Sequence, residues 1–97
     1  MKAFSPKVAI LVLNWNGSLV LDDCLKSLSK ISYENHRVII IDNGSTDDSI
    51  DVAMKTYYKV EFLRFQDNHG YSSGYNKAFK CIENRNFDCY VLLNNDA

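Results

Sequence analysis

The stretch His36-Arg37-Val38-Ile39-Ile40-Ile41-Asp42, continued by Asn43-Gly44-Ser45-Thr46-Asp47-Asp48-Ser49, runs from four consecutive β-branched residues straight into an aspartate and a polar turn. Apolar residues at every position, rather than at every second one, are what a strand covered on both faces requires, which points to a parallel sheet with helices on each side. Beyond the turn, Asp47 to Tyr58 carries Ile50, Ala53, Met54 and Tyr57 on one helical stripe. The preceding Ser45-Thr46-Asp47-Asp48 offers hydroxyls for the cap and carboxylates for the first turn. A buried strand, a tight polar turn and an amphipathic helix together make the repeating unit of an α/β protein.

The same unit extends in both directions. "VAILVLN" (Val8 to Asn14) and "DCYVLLN" (Asp88 to Asn94) are again near-continuous apolar runs, whereas "KVEFLRF" (Lys59 to Phe65) interleaves Glu61 and Arg64 and reads as an edge strand. Ser18 to Lys30 places Leu21, Cys24, Leu25 and Leu28, then Ile31, on one stripe, and Tyr71 to Asn84 does the same with Tyr75, Ala78, Phe79 and Ile82. Four strands therefore alternate with three helices. Right-handed crossovers with one reversal of winding predict a Rossmann-like three-layer α/β/α half-domain whose four-stranded parallel sheet has the order 3-2-1-4. The switch point then falls between the first and fourth strands, and a ligand is expected at their carboxyl ends.

Ninety-seven residues suit one small domain. Eleven basic against twelve acidic residues leave a net charge of -1, which argues against nucleic acid or a general membrane surface as partner. Cys24, Cys81 and Cys89 match neither a zinc pattern nor a redox pair, and their odd number suggests reduced thiols in a cytoplasmic setting. The apolar run Val8 to Leu13 is too short for a signal peptide core or a membrane span.

Each strand ends in polar residues on the predicted ligand side: "NWNG" (Asn14 to Gly17), "DNGSTD" (Asp42 to Asp47), "QDNHGYSSGYN" (Gln66 to Asn76) and "NNDA" (Asn94 to Ala97). Asp42 is anchored by the buried strand before it. It suits either a fixed acceptor for the N3–H of a uracil or thymine ring or a turn residue helping to cap the next helix; Ser45, Thr46 and Asp47 are expected to be caps. Gly70 and Gly74 lead into a helix whose N-terminus favours an anion such as phosphate, although the spacing matches neither GxGxxG nor a P-loop. Close helix packing is the alternative for Gly74. Asp96 suits a hard divalent cation, magnesium or manganese, with Asn94 adding a neutral oxygen. His36 and His69 read as solvated loop residues, Trp15 as a packing aromatic or a pocket wall, and Tyr57-Tyr58 as one buried and one exposed ring.

Taken together, "LVLNWNG", "IIIDNGSTDDS", "NHGYSSGYNKAF" and "YVLLNNDA" resemble, in order and over Val8 to Ala97, the amino-terminal half of glycosyltransferase family 2, of GT-A fold. The resemblance implies nucleotide-sugar binding, from a UDP- or dTDP-sugar, with Asp42 at the base, Asn14, Asn16 and Asn76 beside the nucleotide, and Gly70, Gly74 and Asn95 in the same site. In place of the family's DxD metal motif stands Asn94-Asn95-Asp96, similar to a bacterial rhamnosyl- and galactofuranosyl-type subgroup, which commonly has "GFAGG" where this chain has Gly70 to Gly74. Further implications are inverting transfer to a glycan or lipid-linked acceptor in surface polysaccharide assembly, and a cytoplasmic location at the inner face of the membrane. The family's catalytic base lies downstream of the metal motif, so none is expected within residues 1–97, which read as a truncated donor-binding part, inactive alone, with an open strand edge suited to homodimerisation. The alternatives are a non-catalytic Rossmann-like nucleotide-binding module, with no use for a cation at Asp96, and a folded fragment without ligand.

Overall fold

The computed structural model describes residues 5–57 and 59–95. Strand β1 (Val8–Asn14) leads to helix α1 (Leu21–Leu28), β2 (His36–Asn43), α2 (Ser49–Thr56), β3 (Glu61–Phe65), α3 (Tyr71–Ile82), a 3₁₀ turn (Glu83–Arg85) and β4 (Cys89–Asn94). All four strands are parallel, in the order β3-β2-β1-β4, as the alternation of elements predicts.

The continuous apolar runs are explained by what covers each face. Ile10 and Val12 of β1 and Val38 and Ile40 of β2 pack under Leu21, Cys24, Leu25, Ile50 and Ala53 of α1 and α2. Their neighbours Ala9, Leu11, Ile39 and Ile41 point the other way, against Tyr75, Ala78 and Ile82 of α3 and Phe87. A strand alternates its side chains between faces, so two apolar faces need an unbroken apolar sequence. Burial of each such aliphatic side chain stabilises the fold by about 1.5–3 kcal/mol.

Several boundaries differ from the sequence expectation. The helices are shorter than the ranges expected for them. α1 begins at Leu21 because Gly17 to Val20 form a turn in which the Gly17 carbonyl accepts from the Val20 and Leu21 amides at 3.0 and 2.8 Å. α2 begins at Ser49, and Met54, expected on its buried stripe, is 48% exposed. α3 ends at Ile82 and tightens into the 3₁₀ turn, which closes on Asn86 in the left-handed region (φ 58°). His36 is the first residue of β2, its Nδ1 facing the Tyr33 carbonyl, rather than a loop residue. Tyr57 packs against the α1/α2 core and donates its hydroxyl to Asp22 Oδ1 at 2.9 Å, whereas Tyr58 lies outside the described residues. Among the described residues no helix is long and apolar enough to cross a membrane.

Candidate functional site

The parallel register sets Asn14 beside Asp42, Asp42 beside Arg64, and Leu13 beside Asn94, so the carboxyl ends of all four strands form one rim. Asn14 is fully buried at its centre. Its Nδ2 donates to Ser49 Oγ at 3.0 Å and Ser45 Oγ at 3.2 Å and lies 3.4 Å from Asp42 Oδ1, while its Oδ1 accepts from Asn95 Nδ2 at 2.8 Å. One amide thus joins β1 to the end of β2, the start of α2 and the residue after β4.

Asp42 is 1% exposed. Its Oδ1 accepts the Ser45 hydroxyl, and its Oδ2 faces Arg64 Nε at 3.8 Å. Asn16 takes a left-handed backbone (φ 49°), which asparagine tolerates better than most residues. Its Oδ1 accepts from the Thr46 and Asp47 amides at 2.8 and 3.2 Å, and its own amide donates to Ser45 Oγ at 2.9 Å. The expected capping roles of Ser45 and Thr46 are therefore not realised. The buried carboxylate and the side chain of Asn16 take their polar groups first, and no side chain caps α2 at Asp48. Asp47 is nearer to the expectation, accepting from the Ser49 amide and hydroxyl at 3.1 and 2.6 Å and from the Ser18 amide at 3.1 Å. Burial opposes its charge, but these hydrogen bonds outweigh it and hold its pKa below the ordinary value.

On the opposite face, Asn43 does for the loop after β3 what Asn14 does for the loop after β2. It is 2% exposed; its Nδ2 donates to Asn68 Oδ1 at 3.1 Å and the Gly70 carbonyl at 3.0 Å, and its Oδ1 accepts the His69 amide at 2.9 Å. Gly70 has φ 76° and ψ 175°, a region open essentially only to glycine, with open space where a Cβ would project. Gly74 serves packing instead, since a Cβ there would lie 3.1 Å from Asn43 Nδ2 and 3.2 Å from Leu13 Cδ1. The first turn of α3 has no side-chain cap and no acid. His69 is exposed, as expected, with Nε2 3.2 Å from Lys77 Nζ. Trp15 is 54% exposed at the rim. Asn76 is exposed on α3 and makes no side-chain hydrogen bond among the described residues.

Of the residues singled out from sequence, Asn14, Asn16, Asp42 and Asn95 are joined in one network and Gly70 and Gly74 frame a second loop beside it. Asn94 is exposed at the end of β4, and Asp96 lies outside the described residues. Among the described residues no three His, Cys, Asp or Glu side chains gather for a metal. The donors expected here, the Asn94 amide oxygen and the carboxylate two residues on in sequence, are of the type a hard divalent cation takes when it has few protein ligands and completes its shell with phosphate and water oxygens. Sequence reading gave no role to Gly17 or Asn43. A Cβ at Gly17 would lie 2.2 Å from Asn14 Oδ1 and 2.3 Å from Asn95 Nδ2, so the central hydrogen bond exists only because residue 17 is glycine. A cleft of about 710 Å³ lies at the other end of the sheet, among Leu25, Leu28, Val38, Tyr57 and Val60, and contains none of these residues.

The fold and the rim define a doubly wound α/β protein whose polar residues collect at the topological switch point. The chain belongs to glycosyl transferase family 2, whose model matches residues 9–97. It is 31% identical over 81 residues to teichoic acid poly(glycerol phosphate) polymerase of Staphylococcus epidermidis, covering 79% of this chain and 11% of that protein. It is 34% identical over 80 residues to the putative glycosyltransferase EpsH of Bacillus subtilis, covering 78% and 23%. The chain thus spans about a tenth to a quarter of the length of these relatives. Among solved structures, the mannosyltransferase PcManGT of Pyrobaculum calidifontis, in complex with GDP-Man and Mn2+, matches with a TM-score of 0.81 at 18% identity, covering 97% of this chain and 28% of that one. TarS of S. aureus matches with a TM-score of 0.78 at 21% identity, covering 93% and 16%. Both similarities show the fold.

Proposed function

We propose that residues 1–97 form the donor-binding part of an inverting glycosyltransferase, which transfers a sugar from a nucleoside-diphosphate sugar to an acceptor hydroxyl in bacterial surface polysaccharide assembly, within the cytoplasm at the inner membrane face. The observation that carries this reading is the cross-linked rim, in which Asn14 ties β1 to the polar ends of β2 and β4 at the switch point. A module held together only by its core has no use for so many buried polar groups at one sheet edge, because each costs desolvation unless it is paired. The relatives support the biological setting, since they include the poly-beta-1,6-N-acetyl-D-glucosamine synthase of Staphylococcus aureus, 25% identical over 92 residues.

In this reading Asp42 accepts from the base of a UDP- or dTDP-sugar. Asn14, Asn16 and Asn95 shape the floor beside the nucleotide, Gly70 and Gly74 bring the start of α3 to the diphosphate, and Asn76 borders it. Asp96, with Asn94, holds the divalent cation, which offsets charge on the departing diphosphate. The Asn94-Asn95-Asp96 motif favours the rhamnosyltransferase-like subgroup. The catalytic base and acceptor site, for a glycan or lipid-linked glycan, belong to chain beyond these residues. The free edge of β4, with Tyr90, Val91 and Leu92 each about 40% exposed, pairs with a second copy in the isolated chain.

Titration with UDP, dTDP and GDP, each with and without manganese and followed by amide chemical shifts, tests the reading. Shifts confined to Asp42, residues 70–76 and the end of β4, and larger with metal, are expected. Metal-independent binding would favour a non-catalytic nucleotide module, and sugar transfer by these 97 residues alone would overturn the division between donor part and catalytic base.

A further inference from the structure

Asp42 and Arg64 are partners in the parallel register of β2 and β3, so their side chains leave the same face of the sheet side by side. The two carboxylate oxygens of Asp42 have different surroundings. Oδ1 accepts the Ser45 hydroxyl and lies 3.4 Å from Asn14 Nδ2, whereas Oδ2 faces the Arg64 Nε at 3.8 Å. Arg64 is also held at its other end, with Nη1 3.5 Å from Asp51 Oδ1 of α2. Its side chain is 51% exposed against 2% for that of Asp42, and both of its ion pairs are longer than a charge-assisted hydrogen bond.

We propose that Arg64 sets the base specificity of the site: on binding it turns from the two carboxylates to a carbonyl of the base whose ring N–H Asp42 accepts. This rests on the reading that a nucleoside diphosphate occupies the rim. A carboxylate oxygen has two lone-pair sites and a guanidinium carries five donors, so the pair presents an acceptor beside a donor. That pattern complements an N–H flanked by a carbonyl, the imide edge of uracil or thymine. Cytosine places an unprotonated ring nitrogen and an amine there, setting acceptor against acceptor and donor against donor. Guanine carries the same N1–H beside a carbonyl, so the pair alone does not reject it; its extra 2-amine needs a second acceptor, and Oδ1 is already committed to Ser45 and Asn14. Arg64 pays little to move, because it leaves two loose, solvent-screened pairs rather than a tight bond.

Binding of UDP, CDP and GDP to the protein and to Arg64→Met, Arg64→Lys and Asp42→Asn variants, read by amide chemical shifts, tests this. The unaltered protein is expected to prefer UDP over CDP by about 100-fold, since a site built to hydrogen-bond its substrate leaves buried groups unpaired with the wrong one. Arg64→Met should weaken UDP binding about 10-fold and CDP binding hardly at all, the loss of roughly one charged hydrogen bond, and Arg64→Lys should restore part of the preference. An unchanged UDP-to-CDP ratio in Arg64→Met, or tighter UDP binding there, would overturn the role of Arg64. If Asp42→Asn still abolishes the preference in that case, the nucleotide reading stands without it. Absence of binding by any of the three nucleotides to the unaltered protein would remove both.

Discussion

Asn14 has its amide nitrogen shared among Ser49, Ser45 and Asp42 and its oxygen engaged by Asn95. The residue that permits this makes no hydrogen bond with its own side chain, for it has none. Gly17→Ala would drive a methyl into Asn14 Oδ1 and Asn95 Nδ2, and overpacking of this kind costs about 1–3 kcal/mol. Gly70→Ala is expected to cost a similar amount, about 1–3 kcal/mol, for a different reason: space is open, but the backbone is not one alanine adopts. Urea denaturation should show both losses, and the side-chain amide resonances of Asn14 and Asn95 should move in Gly17→Ala and stay in place in Gly70→Ala. If those resonances moved equally in both, the steric account of Gly17 would be wrong. The polar character of Asn14, Asn16 and Asp42 at strand ends was legible in the sequence. That Gly17 and Asn43 hold the rim together was not, because their roles depend on atoms 78 and 25–27 residues away, Asn95 and the loop Asn68 to Gly70.

At the scale of elements, the joints are made by acids held charged. Asp22 of α1 accepts the Tyr57 hydroxyl and pairs with Lys26, which lowers its pKa; Asp47 links the starts of α1 and α2; and Glu61 of β3 takes a bidentate pair from Arg85 at 2.6 and 2.9 Å, which lowers its pKa despite partial burial. Groups whose folded pKa lies below the unfolded value stabilise fully above that value, near 4, and lose the contribution as pH falls through the folded pKa. Tyr75 of α3 has the opposite sign. Burial pushes its hydroxyl, which donates to the Leu93 carbonyl at 2.9 Å, up to about 12, so its contribution is present below about 10 and lost as pH rises toward 12. Burial likewise raises the Cys24 thiol. Urea midpoints are therefore expected to be level from about pH 6 to 8 and to fall on both sides; a midpoint that rose between pH 5 and 3 would contradict the acid joints. Periodicity located these elements because two apolar faces leave an unbroken signature. It overran the end of α1, whose apolar stripe continues to Ile31 beyond the last helical residue Leu28, and it put Met54 of α2 on a buried stripe where the side chain is exposed.

For the whole molecule, the order β3-β2-β1-β4 leaves two outer strands with different protection. β3 is short, five residues, and its Arg64 stands exposed at the edge, a device that discourages pairing with another chain. β4 has no such charge between Cys89 and Asn94, and Tyr90, Val91 and Leu92 are exposed in a row. Sedimentation of the isolated chain should accordingly give a mass near twice 11.1 kDa at high concentration, and Leu92→Lys should return it to the monomer. A monomer at every concentration would reject pairing through β4.

The hydrogen bond between Asn95 and Asn14 spans 81 residues, and the Lys7 amide reaches Asp88 at 2.7 Å over the same separation at the other end of β4. Closing so long a loop is entropically costly and comes late among the contacts of a small domain. During synthesis from the amino terminus, β1, β2 and β3 have all left the ribosome while the oxygen of Asn14 still awaits its donor. The rim is then finished by nearly the last residues of this segment to emerge, so a nascent chain acquires the complete polar network only when translation has passed β4, and anything that binds this rim would stabilise only chains that have got that far.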